Sequence, residues 1–180
     1  MSKRLFDIFF SVVALIFLGW VMVLGYIMAS IDTRSSGLFV QERVGQYGKI
    51  FKIFKLKTFH PLTQNVSALG NFLRRYKIDE LPQLLNVLIG DMSLVGPRPD
   101  IPGYYDLLQG EDRKVLELKP GITSLASIKY ANEEQLLAAH PEPLKYNDEV
   151  LFPDKVQMNL DYYYHRSLRL DLKIIYKTFF

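Results

Sequence analysis

Hydrophobic and polar positions follow different rhythms along the chain. From Ile8 to Ile31 run 24 residues without a charge. As a straight helix they would reach about 36 Å, enough to cross a hydrocarbon core of roughly 30 Å. Leu38-Phe39-Val40-Gln41 then reads as a strand and Gly45 with Gly48 as a turn. Phe51-Lys52-Ile53-Phe54-Lys55-Leu56-Lys57 alternates apolar and basic residues with period two, predicting a second strand. Pro61 marks a loop over His60–Ser67. Helices are predicted over Ala68–Arg75 and from Asp79, or just after it, to Leu88. Ser93 to Pro99 must be extended, because each proline restricts the residue before it. Tyr104 to Leu118 reads as a polar-rich helix ended by Lys119-Pro120-Gly121, and Glu133–Ala139 as a short helix. Pro141 and Pro143 mark a loop, and Asp154–Phe180 the last helical stretch.

These elements predict a small α/β fold that is mostly α. An N-terminal membrane helix over residues 1–35 would precede one catalytic-sized unit over 36–180. A length of 180 residues and 49% hydrophobic content exclude intrinsic disorder. Lys and Arg number 22 against 19 Asp and Glu, so the net charge of +3 gives no reason to expect a nucleic-acid partner. The absence of Cys excludes disulfides, thiolate nucleophiles and Cys-built zinc sites. His60, His140 and His165 lie far apart in sequence, which disfavours a His-built metal site.

The apolar run is longer than the usual h-region of about 7–15 residues and has no A-x-A site after it, which disfavours a cleaved signal peptide. Lys3 and Arg4 precede it; Arg34, Arg43, Lys49, Lys52, Lys55 and Lys57 follow. Basic residues favour the cytoplasmic side, and here both flanks are basic. A helix that enters and returns on one face satisfies both flanks, with Gly19 and Gly25 as weak points for a bend. An ordinary anchor with two tolerated glycines remains the alternative. At the other end, Tyr162–Tyr164, Leu168, Leu170, Leu172, Ile174, Ile175, Phe179 and Phe180 are interleaved with Arg166, Arg169, Lys173 and Lys177. That mixture suits an amphipathic helix lying at the membrane interface, or a packed terminal helix.

The most informative pattern is a basic field that ends in an acid pair. From Arg43 to Ile78 stand eight cations (Arg43, Lys49, Lys52, Lys55, Lys57, Arg74, Arg75, Lys77) and no Asp or Glu; Asp79 and Glu80 follow at once. Such a field can hold anionic headgroups or a diphosphate, or can simply be a positive-inside flank. The pair can be an acidic helix start, with Asp79 as N-cap and Glu80 behind it. Among cations, however, a carboxylate is expected to have a depressed pKa and stay ionised, as suits a nucleophile or a metal ligand. Pro97-Arg98-Pro99 mounts one guanidinium on a stiff backbone, and its planar fork suits phosphate. Together the three elements point to phosphoryl chemistry on a diphosphate at a membrane surface.

Lys3-Arg4-Leu5-Phe6-Asp7, Gln41-Glu42-Arg43-Val44-Gly45 and Phe51–Thr58 occur in this order with Leu73-Arg74-Arg75. The unbroken blocks Ile78–Leu88 and Gly90–Pro99, then Lys119–Thr123, complete a pattern that covers nearly the whole chain. The chain resembles the bacterial sugar transferases, monotopic polyprenyl-phosphate phosphoglycosyltransferases. The resemblance implies transfer of a phospho-sugar from a UDP-sugar to polyprenyl (undecaprenyl) phosphate, with UMP released through an aspartyl phospho-sugar on Asp79. Glu80 would help hold Mg²⁺. Arg98, Arg74, Arg75 and Lys57 would hold phosphate oxygens, and Arg43, Gln41, Pro97 and Pro99 complete the implied substrate site. It further implies the cytoplasmic face of a bacterial inner membrane and the first membrane step of a glycoconjugate pathway such as O-antigen, capsule, exopolysaccharide or glycoprotein glycan. The partners would be UDP-sugar, polyprenyl phosphate and the bilayer, with a homodimer left open.

Two departures stand out. Family members usually carry Ser-Pro in mid-anchor, where this chain has Gly19-Trp20, and Gly weakens a helix without forbidding it. His60 replaces a more often polar or acidic residue. A non-catalytic membrane adaptor, with the field on lipid and the acids capping a helix, is the rival of another class. CDP-alcohol phosphatidyltransferases would need several spaced Asp residues on membrane helices, where only Asp7 and Asp32 flank the single segment.

Overall fold

The computed structural model describes residues 3–179. Phe180, at the end of the expected last helix, lies outside them. The chain forms two compact units, one of residues 1–43 and 50–94, the other of 44–49 and 95–180.

The first unit opens with helix α1, Lys3–Thr33, which continues through Gly19 and Trp20. It is long and apolar enough to cross a membrane by length and composition. Its middle is exposed, with Ile16, Phe17 and Trp20 uncovered, while Phe6, Asp7 and Ser11 near one end and Gly25, Ala29 and Thr33 near the other are buried. Strands β1 (Leu38–Val44) and β2 (Ile50–Leu56) pair in a two-stranded sheet. Helix α2, Ala68–Arg75, starts at Ser67, whose hydroxyl accepts from Gly70 N. Ala29, Leu56 and Leu73 form the core of this unit, with Leu69 and Ile78 against them.

Both ends of α1 are tied into this same unit. Arg4 donates through its two terminal nitrogens to the carbonyls of Val87 and Leu88. Asp7 accepts from Lys3 Nζ and from Leu94 N. At the far end Ser67 Oγ donates to Asp32 Oδ2 at 2.7 Å. A Cβ at Gly25 would stand 2.7 Å from Leu56 Cδ1, so the end of the Leu56 side chain would have to move aside.

The expected helix from Asp79 is displaced. Ile78–Glu80 form a single 3₁₀ turn, entered through Lys77 in left-handed backbone at φ +56°. The α-helix α3 spans Gln83–Ile89, with Pro82 before its first residue and Gly90 as its left-handed C-cap. Proline has no N–H to lose at a helix start, which fixes the beginning there and leaves the acids outside the helix. Strand β3 is Ser93–Val95.

In the second unit, strand β4 (Gly121–Thr123) runs beside the residues that follow β3: Gly96 N donates to Thr123 O, and Gly121 N to Pro97 O. The expected Tyr104–Leu118 helix is instead two 3₁₀ segments, Tyr105–Leu107 and Asp112–Glu117, separated by Gly110 at φ +57°. Helices α4 (Leu125–Lys129), α5 (Glu133–Ala139) and α6 (Pro143–Tyr146) lead through a π-turn at Asn147–Leu151 into α7, Phe152–His165. The last stretch is thus two helices, with α8 at Leu168–Phe179 after a break at Arg166. Val44, Tyr105, Val115, Leu116, Val156 and Leu160 form this unit's core.

Candidate active site

The acid pair sits on the 3₁₀ turn of the first unit, held by Ile78 in the core below it and by Pro82 beyond it. Asp79 and Glu80 are each only 8% exposed. Neither caps α3, whose N-terminal residue Pro82 makes no side-chain cap bond. Asp79 is therefore not the N-cap of α3; both acids stand on the 3₁₀ turn before it.

The two acids differ in their surroundings. Glu80 Oε1 lies 3.4 Å from Lys55 Nζ, the cation that β2 delivers. Asp79 Oδ1 is buried with no hydrogen-bond partner. Burial, reinforced by the neighbouring Glu80 charge, raises the Asp79 carboxyl from an ordinary 3.8 to about 6 against the pull of Lys55, Lys77 and Arg74. The expectation of a depressed pKa is thus corrected: desolvation outweighs the field of the cations. At pH 7 the group is still mostly ionised, as a carboxylate costly to keep buried and so reactive toward an electrophile or a cation.

The other cations of the unit are placed with definite partners. Arg74 Nε donates to the buried hydroxyl of Thr58 at 2.8 Å, which directs the guanidinium along the end of α2. Arg75 and Lys77 are exposed, with Arg75 beside the Tyr76 ring. Lys57 reaches the hydroxyl of Ser35 just after α1, at 3.0 Å. On β1, Arg43 donates to Gln41 Oε1 at 2.6 Å. The structure therefore gathers Asp79, Glu80, Lys55, Lys77 and Arg74 around one turn. Lys57 is fixed by the end of the membrane helix, and Gln41 with Arg43 on β1. Lys55 belongs with the acids, although neither the basic field nor the Phe51–Thr58 match gives it a site role of its own. Its signal was the period-two pattern, which puts it on the same strand face as the buried Ile53.

Pro97, Arg98 and Pro99 belong to the second unit. Their mount is tighter than two prolines alone would make it. Gly96 and Gly121 touch backbone to backbone, so a Cβ on Gly121 would stand 2.1 Å from Gly96 N and one on Gly96 2.2 Å from Lys119 O. Pro97 is buried and Arg98 exposed. Arg98, Pro97, Pro99, Tyr105, Val115 and Pro120 contribute to the lining of an open pocket of about 240 Å³.

No group of three or more His, Cys, Asp or Glu residues suited to a metal occurs among the described residues. The acid pair alone nevertheless suits Mg²⁺, a hard ion commonly held by one or two carboxylates together with substrate phosphates. Glu80, buried beside Asp79, is the carboxylate that would serve it.

The family model described as bacterial sugar transferase matches residues 1–180. The chain is 32% identical over 99% of its length to a UDP-glucose:undecaprenyl-phosphate glucose-1-phosphate transferase of Caulobacter vibrioides, covering 68% of that protein. It is 33% identical over 99% of its length to an undecaprenyl-phosphate glucose phosphotransferase of Komagataeibacter xylinus, covering 35% of it. An uncharacterized sugar transferase, EpsL, of Bacillus subtilis is 32% identical over 98% of the chain and 84% of its own length. A match along the whole chain, joined to a buried acid pair ringed by cations, places this protein in the bacterial sugar transferase family, and it is a transferase.

Proposed function

We propose that this enzyme transfers a phospho-sugar from a UDP-sugar to polyprenyl phosphate in two steps, through a covalent intermediate on Asp79. The observation that carries the reading is the Asp79 carboxylate itself: buried, still ionised at neutral pH, with one oxygen unpartnered. That oxygen attacks the sugar-proximal phosphorus, the bond to the bridging oxygen breaks, and the electron pair leaves with UMP. A phosphate oxygen of the polyprenyl phosphate then attacks the same phosphorus and expels the carboxylate, giving polyprenyl-diphospho-sugar. A carboxylate needs no general base for such an attack.

The remaining residues position substrate and balance charge, which is most of what phosphoryl transfer asks of a protein. Glu80, oriented by Lys55, would hold Mg²⁺ together with the substrate phosphates. Bound Mg²⁺ would offset diphosphate charge and stabilise the leaving UMP. Arg74, Arg75 and Lys77 surround the acids with positive charge, and Arg98 offers a rigid guanidinium suited to phosphate oxygens. Gln41, Arg43 and Lys57 serve the substrate from β1 and from the end of the membrane helix, and Pro97 and Pro99 brace Arg98.

The membrane side follows the same reading. A helix whose two ends bond to one compact unit keeps both ends on one side of the bilayer, so α1, unbroken through Gly19 and Trp20, would lie with its exposed middle in the cytoplasmic leaflet of the inner membrane rather than cross it. Basic residues at both flanks support that topology. The product would begin a bacterial glycoconjugate or exopolysaccharide.

Incubation with a UDP-sugar and Mg²⁺, without polyprenyl phosphate, should release UMP up to about one equivalent, the burst expected of a ping-pong mechanism. The phospho-sugar should be found by mass spectrometry on the peptide bearing Asp79. UMP release that requires polyprenyl phosphate and leaves no adduct would indicate direct transfer and exclude Asp79 as nucleophile.

A further inference from the structure

One fully buried polar side chain near the acids plays no part in the chemistry above. Asn86 lies on α3, completely covered, six residues beyond Glu80. Its side-chain amide turns to β2: Nδ2 donates to the carbonyl of Lys52 at 2.7 Å, and Oδ1 accepts from the N–H of Phe54 at 3.0 Å. The carbonyl of a strand residue and the N–H two positions later point out of the same edge. The amide therefore fills the place a neighbouring strand would take, satisfying one donor and one acceptor at once. Lys55 is the first residue past this clamp, and its ammonium meets Glu80 at 3.4 Å.

We propose that Asn86 is a positioning residue: its side-chain amide fixes the Lys52–Phe54 backbone to α3 so that Lys55 is delivered to Glu80. Two points of attachment then hold β2, the amide to α3 and the ion pair to the 3₁₀ turn just before it, about 9 Å apart along the path from Glu80 to Asn86. A single ion pair on a four-carbon lysine stem would leave the strand free to slide or pivot; with the amide it cannot. The backbone carbonyl of Asn86 also accepts from Gly90, Asp91 and Met92, which closes the end of α3 and holds the residue itself. A chain with serine at this position loses both amide contacts but keeps a small polar side chain in the space. The assignment bears on catalysis only through the phosphoryl-transfer reading above, where Glu80 and its partner serve the substrate.

The test uses the full chain in lipid nanodiscs. Brief acetylation with acetic anhydride, read lysine by lysine by mass spectrometry, should find Lys55 protected in the natural protein and labelled several-fold faster in Glu80→Gln. Asn86→Ser should raise Lys55 labelling to the Glu80→Gln level while Lys49, Lys77 and Lys114 keep their natural rates. Unchanged Lys55 labelling in Asn86→Ser overturns the proposal, as does a general rise at all lysines, which would mark Asn86 as a folding residue only. Turnover supplies the second arm. Asn86→Ser should lower kcat by roughly ten- to a hundredfold with little change in KM, the scale expected when a catalytic group is misplaced by about an ångström. In a Lys55→Met background the same change should cost less than about twofold, because the group it positions is gone. An equal loss in both backgrounds also overturns the assignment. If the natural protein releases no UMP from any UDP-sugar while the Lys55 labelling behaves as expected, the phosphoryl-transfer reading fails and the positioning role stands.

Discussion

Replacing Asp79 by asparagine should abolish UMP release and at the same time make the protein more stable. The carboxyl is held at about 6 where an exposed aspartate has 3.8, chiefly by burial. At about 1.36 kcal/mol per pH unit, keeping it ionised in the folded state costs about 3 kcal/mol. The sign follows from proton binding. Between pH 3.8 and 6 the folded state holds a proton that the unfolded state has released, so stability from this group is present below 3.8 and is lost as pH rises to about 6. Asparagine carries no such cost. Its advantage should be near zero at pH 3.5, grow across that window, and level off above pH 6 at up to about 3 kcal/mol. For a chain of this length that corresponds to a rise in Tm of roughly 6–12 °C. Thermal unfolding of both proteins in the same detergent, without Mg²⁺, at pH 3.5, 5, 6.5 and 7.5 measures it. An Asp79→Asn protein that is less stable at pH 7.5, or whose advantage does not change with pH, would refute the argument that the nucleophile is stored as a destabilised carboxylate.

Lys55→Gln removes the foremost of the cations that restrain the Asp79 pKa, so the acid limb of the pH dependence of kcat/KM should move upward from about 6, as steady-state assays at graded pH will show. Gly121→Ala places a Cβ against the Gly96 backbone, and it should unfold the second unit or displace the Arg98 loop. Circular dichroism and UMP release separate those outcomes, and a fully active variant would contradict the close approach. On α8, Asp171 and Ile174 are buried, whereas Leu172, Tyr176 and Phe179 are exposed at 51%, 64% and 76% and fall on one stripe at 100° per residue. Arg169, Lys173 and Lys177 border that stripe. The triple change of Leu172, Tyr176 and Phe179 to serine should therefore lower binding to anionic vesicles in flotation assays without lowering Tm; a fall in Tm with unchanged flotation would make the stripe part of the fold.

The sequence could show elements whose signals are local. Ala68–Arg75 was legible to the residue because Ser67 caps it and the apolar rhythm is helical. The strands were legible from period two, and the long apolar helix from its lack of charge. What failed depended on backbone geometry or on distance. Tyr104–Leu118 has helical composition, yet Gly110 at φ +57° divides it into two 3₁₀ pieces. The acids were visible as a pair, but their ionisation was misjudged, because counting cations along a sequence cannot weigh them against the burial that only folding creates. Asn86 lies inside the Ile78–Leu88 block with no local signal of its role, since that role rests on two bonds to residues more than 30 positions away.

That last contrast bears on how the site works. The cations nearest the acids in sequence, Arg75 and Lys77, are exposed; Lys55, brought from 25 residues away, is the one the structure commits to Glu80. An exposed cation can follow an anionic substrate inward, but it fixes nothing and is screened by salt. A partly buried one on a clamped strand fixes Glu80, the neighbour of the proposed nucleophile, before any substrate arrives. Asp79 Oδ1, beside it, is left without a hydrogen-bond partner. Supplying one, by a mutation that places a neutral donor within reach of that oxygen, should therefore stabilise the protein and slow the first chemical step together. A donor that stabilised the fold yet left the UMP burst rate unchanged would show that the unpartnered oxygen is not the attacking one.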